Sequence, residues 1–418
     1  MPLMKSWVET ANTADCPFPL NNLPYGVFST DGGAPRCGVA IGDQILDMKA
    51  AEEAGLISVA GGVVFGGASW NTFMARGKNA WVALRARLTA LLAEGSDARA
   101  VAEPLLVSQR NATLHMPLEV SEYTDFYAGR HHATNIGTMF RGAENALPPN
   151  WLHIPIGYNG RASSVVVSGT GVRRPWGQLK GPNDALPRFG PSARFDIELE
   201  MGAIVGAASN GPISVEEAYS NIFGYVLLND WSARDIQPWE YQPLGPFQAK
   251  ATATTISPWI VTAAALKPFR CDTPAREFEL LNHLKDAGPM LYDIDLSVTM
   301  APQGGEATTI AETNYNEMYY SAAQQLAHHT SSGCPMRVGD LLGSGTISGP
   351  EKSQRGSLIE QSWGGKEPFT LQSGETRTFI EDGDTLTLIG TAKGDGYSIG
   401  FGDCVGEMMP ALDDPYKR

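Results

Sequence analysis

Thiol pairs, basic runs and long apolar stretches are all missing from this 418-residue sequence, and each absence closes off a class of function. The five cysteines, Cys16, Cys37, Cys271, Cys334 and Cys404, are odd in number and scattered, with no CxxC pair for a zinc site or a redox motif. A reducing compartment is therefore expected. Lysine and arginine total 31 against 45 aspartates and glutamates, a net charge of −14, and no basic run interrupts the excess. Nucleic acid and anionic lipid are set aside as partners. No apolar run is long enough to span a bilayer, and the stretch Met1 to Glu9 lacks the apolar core of a secretion signal. A cytoplasmic location is the expectation.

What is present points to a β-rich globular chain. Hydrophobic residues make up 43% and charged residues 18%, with 46 glycines and 28 prolines, which suits many short strands joined by turns. The segment Gly38 to Asp47 reads as two strands about a Gly-Asp turn. Residues 69–92 place Trp70, Phe73, Trp81, Leu84 and Leu88 near helical spacing, predicting one amphipathic helix. After an extended stretch from Leu105 to Pro117 the character changes. Strand-like runs then dominate, including Ser164 to Ser168, Phe195 to Met201 and Thr385 to Ile389. Two domains are expected, residues 1–118 and 119–418, in a mainly β chain with some α.

In Phe195 to Met201 the alternation is strict, so a strand puts Asp196, Glu198 and Glu200 on one face. Two readings stay open. The face is a solvated sheet edge, as half-buried strands commonly show, or it gathers a cation that relieves the repulsion between like charges. Asp125 and Asp230 lie among aromatic residues, where an acid is less expected to be surface filler. An all-carboxylate cage would select a hard cation, Ca²⁺ or Mg²⁺, over zinc.

Seven histidines occur, and a lone histidine is by default a structural residue. His132, close beyond Asp125, stands out because an imidazole of ordinary pKa near 6.5 suits general-base work on water. Asp230, Arg234, Gln237 and Tyr241 fall at helical spacing, with Pro238 expected to end that helix at Gln237. The alternative is an ordinary Asp230–Arg234 surface pair. Gly396 to Gly400 matches GxSxG, but no histidine follows His329 in the chain, so Ser398 is set aside as a nucleophile. No P-loop or GxGxxG run follows a strand.

Longer strings carry a resemblance. Tyr123-Thr-Asp-Phe-Tyr127, Met139-Phe-Arg-Gly142, Asn150 to Ser164, Asn229-Asp-Trp-Ser-Ala-Arg-Asp-Ile-Gln237, Thr254 to Trp259 and Ser344 to Glu351 closely resemble the fumarylacetoacetate hydrolase family. Asn22 to Ser29 matches as well, so the resemblance covers nearly the whole chain. It implies a small SH3-like β-barrel followed by a large mixed β-roll, a homodimer, and metal-dependent hydrolysis of a carbon–carbon bond. The substrate would be a small diketo acid, 4-fumarylacetoacetate, cleaved to fumarate and acetoacetate in the last step of tyrosine and phenylalanine breakdown.

Residue by residue, the resemblance makes Asp125, Glu198, Glu200 and Asp230 metal ligands, with Lys250 and Thr254 as further cation contacts, and leaves Asp196 out. It makes His132 the base, Glu360 the acid that orients it, and Arg234, Gln237 and Lys250 the oxyanion donors. Tyr127, Arg141, Tyr158, Gln237, Tyr241 and Thr346 would contact substrate. Where the family has a glutamine before the histidine and glycines flanking the lysine loop, this chain has His131, Ala249 and Ala253. The rival readings are a related acylpyruvate hydrolase or decarboxylase, and a non-catalytic metal-binding protein on the same fold.

Overall fold

The structure is a computed structural model that describes residues 2–414 and 416–417. Its first part is an antiparallel sheet of β1 (Tyr25–Ser29), β2 (Arg36–Ile41), β3 (Gln44–Asp47), β4 (Leu106–Ser108) and β5 (Thr113–His115), in the order β4-β3-β2-β1-β5. Gly42, with φ of 56°, makes the expected turn between β2 and β3, a left-handed conformation that costs glycine nothing. The one helix expected over residues 69–92 is two, Asn71–Met74 and α1 (Lys78–Leu92). Gly77 between them sits at φ 83° and stops the first. Leu84, Leu88 and Leu91 still bury one stripe of α1, while Trp81 is only half-buried.

The second part is built on a large mixed sheet. It contains β6 (Tyr123–Phe126), β7 (Gly157–Asn159), β8 (Val165–Val167), β10 (Leu199–Val205), β11 (Ile222–Asp230), β12 (Thr254–Ile256) and β15 (Leu341–Gly343), in the order β7-β6-β15-β10-β11-β12-β8. A second sheet, in the order β14-β13-β16-β17-β9, joins β9 (Val172–Arg173), β13 (Asp295–Ala301), β14 (Thr308–Asn314), β16 (Thr385–Lys393) and β17 (Cys404–Met409). The helices of this part include α2 (Arg130–Arg141), α3 (Ala322–Thr330) and α4 (Leu358–Gln361). The mainly β architecture with some α is the expected one.

Every residue of β10 and β11 is buried, so the centre of the large sheet has no solvent face. Met201, Ala203, Tyr225 and Leu227 pack into the core shared with the second sheet. Ile204, Val226, Leu228, Ile256 and Leu341 join a different core, with Val27, Val39, Phe73 and Leu88 of the first part. Side chains alternate along a strand, so following this second face two residues at a time leads from apolar to acidic positions. Tyr123 gives way to Asp125, Leu228 to Asp230, and Ile204 through Gly202 to Glu200. The N-terminal part thus covers the apolar end of that face, and the acids lie at the other end. Among the described residues, no helix is long and apolar enough to cross a membrane.

Candidate active site

At the acidic end, Asp125, Glu198, Glu200 and Asp230 each place one carboxylate oxygen within 4.8 Å of the others. The register accounts for this: Asp125 pairs with Gly343 on β15, Gly343 with Gly202 on β10, and the Asp230 amide donates to the Glu198 carbonyl. A Cβ at Gly343 would come within 3.0 Å of Asp125 Oδ1 and Glu200 Oε2, so only glycine leaves room between them. All four acids are buried, which overturns the solvated-edge reading of residues 196–200. The three acids do not share one face either. The strand breaks after the short pair Phe195–Asp196, and Asp196 turns away. It accepts the Leu358 and Ile359 amides at the start of α4, at 2.7 and 2.9 Å, and Arg234 Nε at 2.8 Å.

The electrostatics of the cage are lopsided. Burial, then mutual repulsion led by Asp230 for Asp125 and by Asp125 for Glu200, raises both carboxyls well above their ordinary values. Burial also raises Asp230, although Lys250 opposes it. Glu198 is the exception: burial would raise it, but the charges of Lys250 and Arg234 hold it low. Lys250 Nζ lies 2.6 Å from Glu198 Oε2 and 2.5 Å from Asp230 Oδ2. Lys250 pairs with Glu198 and Asp230, and Arg234 with Glu198 and Asp196, so among the described residues Asp125 and Glu200 have no ion-pair partner. Asp125 Oδ1 and Glu200 Oε1 are buried with no hydrogen-bond partner, so acceptor oxygens point inward with nothing to accept from. This donor set fits a hard divalent cation. The Lys250 ammonium has no lone pair for such an ion; on this residue only the backbone carbonyl has one. Thr254 Oγ1 is 3.5 Å from Asp230 Oδ1.

Beside the cage, α2 carries His132, buried, with Nδ1 2.6 Å from Glu360 Oε2. Glu360 is held on all sides: Ser348 and Ser357 donate to Oε2 at 3.0 and 2.7 Å, and Asn135 to Oε1 at 2.8 Å. Burial would raise this carboxyl, but His132 and these hydrogen bonds bring it down to about 2. An ionised Glu360 fixes the tautomer in which Nδ1 carries the proton and Nε2 is free to accept one. His132 Nε2 is 3.9 Å from Glu198 Oε1, too far for a direct hydrogen bond but within reach of one water placed between them. His131 turns the other way, 3.4 Å from Glu317 at the surface.

Both groups open onto a cavity of about 360 Å³, lined by Asp125, Tyr127, His132, Arg141, Tyr158, Glu198, Arg234, Gln237, Tyr241, Lys250 and Thr346. Arg234 and Asp230 do not form the surface pair considered from the sequence. Arg234 is buried against Asp196 and Glu198, and Asp230 is paired with Lys250. Arg234 Nη1 donates to Gln237 Oε1 at 3.2 Å, leaving the amide nitrogen of Gln237 as its free end. Nη2 lies 2.7 Å from Glu198 Oε1, so the buried guanidinium is ion-paired on that side as well. Thr346 Oγ1 is buried and unpartnered at the cavity wall. Tyr158 donates to Asp125 Oδ2 at 2.6 Å. The Arg141 guanidinium is held at the mouth by the Asn145 and Ala146 carbonyls, at 3.1 and 2.6 Å.

The helix expected to end at Gln237 instead begins there, as Gln237–Glu240, with Pro238 in its first turn. Proline's missing N–H costs nothing at that position. Arg234 precedes it in a turn after Ser232–Ala233, so these residues meet through a strand and a turn rather than along one helix face. The loop beyond this helix is buckled by Glu240, which accepts the amides of Phe247, Gln248 and Ala249 at 2.9, 3.0 and 2.7 Å. That loop carries Tyr241 and Leu244 to the cavity mouth and ends at Lys250. Glu240, Asn135, Ser348 and Ser357 escaped the sequence reading. Asn135 left a signal, three residues beyond His132 and so on the same helix face, and so did Ser357, which opens the S-x-x-E pattern of a helix start with Glu360. Glu200, Asp230, Thr254 and Glu360 stand behind the cavity wall. Ser398 lies on a strand with its hydroxyl donating to the Ala14 carbonyl, outside the cavity that holds His132.

Two family models match the chain. A family model described as fumarylacetoacetase N-terminal matches residues 21–117, and one described as fumarylacetoacetate (FAA) hydrolase C-terminal matches residues 122–405. The fumarylacetoacetases of Rattus norvegicus and Homo sapiens are each 48% identical over 417 residues, covering 97% of this chain and 99% of theirs. A solved fumarylacetoacetate hydrolase from Exiguobacterium antarcticum shares the fold, with TM-score 0.52 at 15% identity over 93% of this chain and 99% of that one.

Proposed function

The chain belongs to the fumarylacetoacetate hydrolase family, and from that membership we propose that it hydrolyses 4-fumarylacetoacetate to fumarate and acetoacetate. The observation that carries this reading is the His132–Glu360 pair, whose free Nε2 faces Glu198 of the carboxylate cage. A base for water and a seat for a cation then stand on one wall of one cavity.

Asp125, Glu198, Glu200 and Asp230 would hold the cation, Ca²⁺ or Mg²⁺ by the hardness of their oxygens, with Lys250 and Thr254 at its edge. When bound, such an ion polarises the diketone oxygens and stabilises the negative charge of the departing acetoacetate. The chain's own residues do the rest. Arg141 at the mouth takes the fumaryl carboxylate by charge-assisted hydrogen bonds, and Tyr127, Tyr158, Tyr241 and Thr346 orient the diketone. His132 takes a proton from water, and Glu360 balances the imidazolium charge. The hydroxide adds to the carbonyl next to the fumaryl double bond. The oxyanion forms where Arg234 Nη2, the Gln237 amide and Lys250 Nζ donate. When the carbonyl re-forms, the bond to the neighbouring methylene carbon breaks, and that carbon takes up the proton held by His132.

A homodimer, implied by the family resemblance, completes the reading; sedimentation of purified protein tests the assembly. The functional test is loss of fumarylacetoacetate absorbance with and without chelator, alongside His132→Ala. Cleavage that stops in chelator, returns with Ca²⁺ or Mg²⁺ and is absent from the variant supports the assignment. No cleavage with metal restored sinks it.

A further inference from the structure

A second cavity, of about 590 Å³, lies between α1 of the N-terminal part and the Val215–Asn221 and Ala263–Leu266 helices of the second part. It shares no residue with the active-site cavity. Its walls are apolar and aromatic, with Tyr25, Trp81 and Phe223 among them; Trp81 and Phe223 meet edge to face at 5.1 Å. Four cations, Lys78, Arg85, Lys267 and Arg270, line it, and no carboxylate does. In a chain of net charge −14 that is a local inversion of sign, and no basic run in the sequence announces it.

Three of the cations, Lys78, Arg85 and Arg270, are also held in place without being neutralised. Lys78 Nζ donates to Ser220 Oγ at 2.6 Å. The Arg85 guanidinium donates to the Asn21 and Asn22 carbonyls. Arg270 donates to the Pro289 carbonyl at 2.8 Å and lies over the Tyr219 ring, 4.3 Å from its centroid. These partners are neutral. Burial lowers the pKa of Arg85, as a charge removed from water without a counter-charge requires. Cations drawn partly out of water are ordinarily paired, and the lining of this cavity offers none of these four a carboxylate.

We propose that this cleft binds an amphipathic organic carboxylate, its apolar body against Trp81 and Phe223 and its head among Lys78, Arg85, Lys267 and Arg270. Apolar walls with a few convergent polar groups are what small-molecule sites present, and the volume lies in the range of about 300–1,000 Å³ typical of them. The carboxylate head supplies the missing counter-charge, and the aromatic floor removes the body from water.

The test uses the full-length protein, with the aromatic sulfonate 8-anilinonaphthalene-1-sulfonate as fluorescent probe and decanoate as competitor. We expect saturable binding of one probe per chain, displacement by decanoate but not by decanol, and no displacement by fumarate. In Lys78→Gln/Lys267→Gln, binding should weaken about tenfold and lose most of its salt dependence, with hydrolytic activity unchanged. Absence of saturable binding, displacement by decanol as readily as by decanoate, or unchanged affinity in the double variant would overturn the proposal. Displacement by fumarate would assign the probe to the active site and overturn it too. So would a double variant that sediments as a different oligomer, since the cleft would then be covered by a second copy of the chain.

Discussion

Replacing Glu360 by glutamine tests the geometry of the base at constant size. In the native chain Oε2 accepts from His132, Ser348 and Ser357, and Oε1 accepts from Asn135. An amide has one oxygen and one NH₂, so it cannot face donors on both sides. Turned toward His132 it confronts Asn135, turned the other way it confronts three donors, and either way the charge that balances an imidazolium is gone. Losing the orienting acid of such a pair costs turnover about 10²–10⁴-fold, or about 3–5 kcal/mol of transition-state stabilisation. Glu360 neither lines the cavity nor belongs to the cage, so KM and cation affinity should stay within about twofold of wild type. Steady-state loss of fumarylacetoacetate absorbance gives kcat and KM, and calorimetric Ca²⁺ titration gives the affinity. A kcat within tenfold of wild type, or a Ca²⁺ affinity that collapses with it, would refute the assignment of Glu360 as the group that orients His132.

The same carboxylate predicts a pH effect on stability. Its folded pKa of about 2 lies below the ordinary 4.5, so it contributes on the order of 3 kcal/mol that is fully present above about pH 4.5 and lost as pH falls toward 2. Urea denaturation should show the gap between wild type and Glu360→Gln closing over that window; a constant gap contradicts it. For Asp125→Asn, relief of repulsion in the cage should leave the chelated protein at least as stable as wild type while abolishing the stabilisation by Ca²⁺, both read from thermal midpoints. A lower midpoint in chelator would count against a repulsive empty cage. Glu240→Ala frees three loop amides and should raise KM about tenfold with Ca²⁺ affinity retained; an unchanged KM means the loop needs no buckle. At Gly137 on α2 a Cβ would sit 1.8 Å from the Ala146 carbonyl oxygen, so Gly137→Ala should cost about 1–3 kcal/mol in urea titrations, where an open helical glycine would instead gain from the change.

Much of the site was legible because its residue types stand out against their surroundings. Acids among aromatic residues, as at Asp125 and Asp230, and acids alternating with apolar residues, as at Glu198 and Glu200, are costly unless something offsets them. What stayed hidden depends on contacts remote in sequence. Alternation alone could not tell a solvated face from one covered at its apolar end by the N-terminal part and closed at its acidic end by Tyr158 and the loop that carries Lys250. Asp196 has the same local pattern as Glu198, and only the break in the strand separates their roles. Pro238 reads equally as the end of one helix or the first turn of the next, and the direction of the chain after Ala233 decides. Ser348 reaches Glu360 from a loop 12 residues upstream whose sequence carries no periodic signal.

The N-terminal core includes Ile204, Phe223, Val226, Leu228, Ile256, Ile260 and Leu341. A ribosome delivers the N-terminal part long before it delivers those residues, so the hydrophobic surface of the early segment has to wait for its partner. Chains stopped by a premature termination codon before residue 204 would carry that surface bare, and their fate would be precipitation or proteolysis rather than an inactive but intact small domain. The place where the sequence changes character is thus not a place where the molecule can be cut.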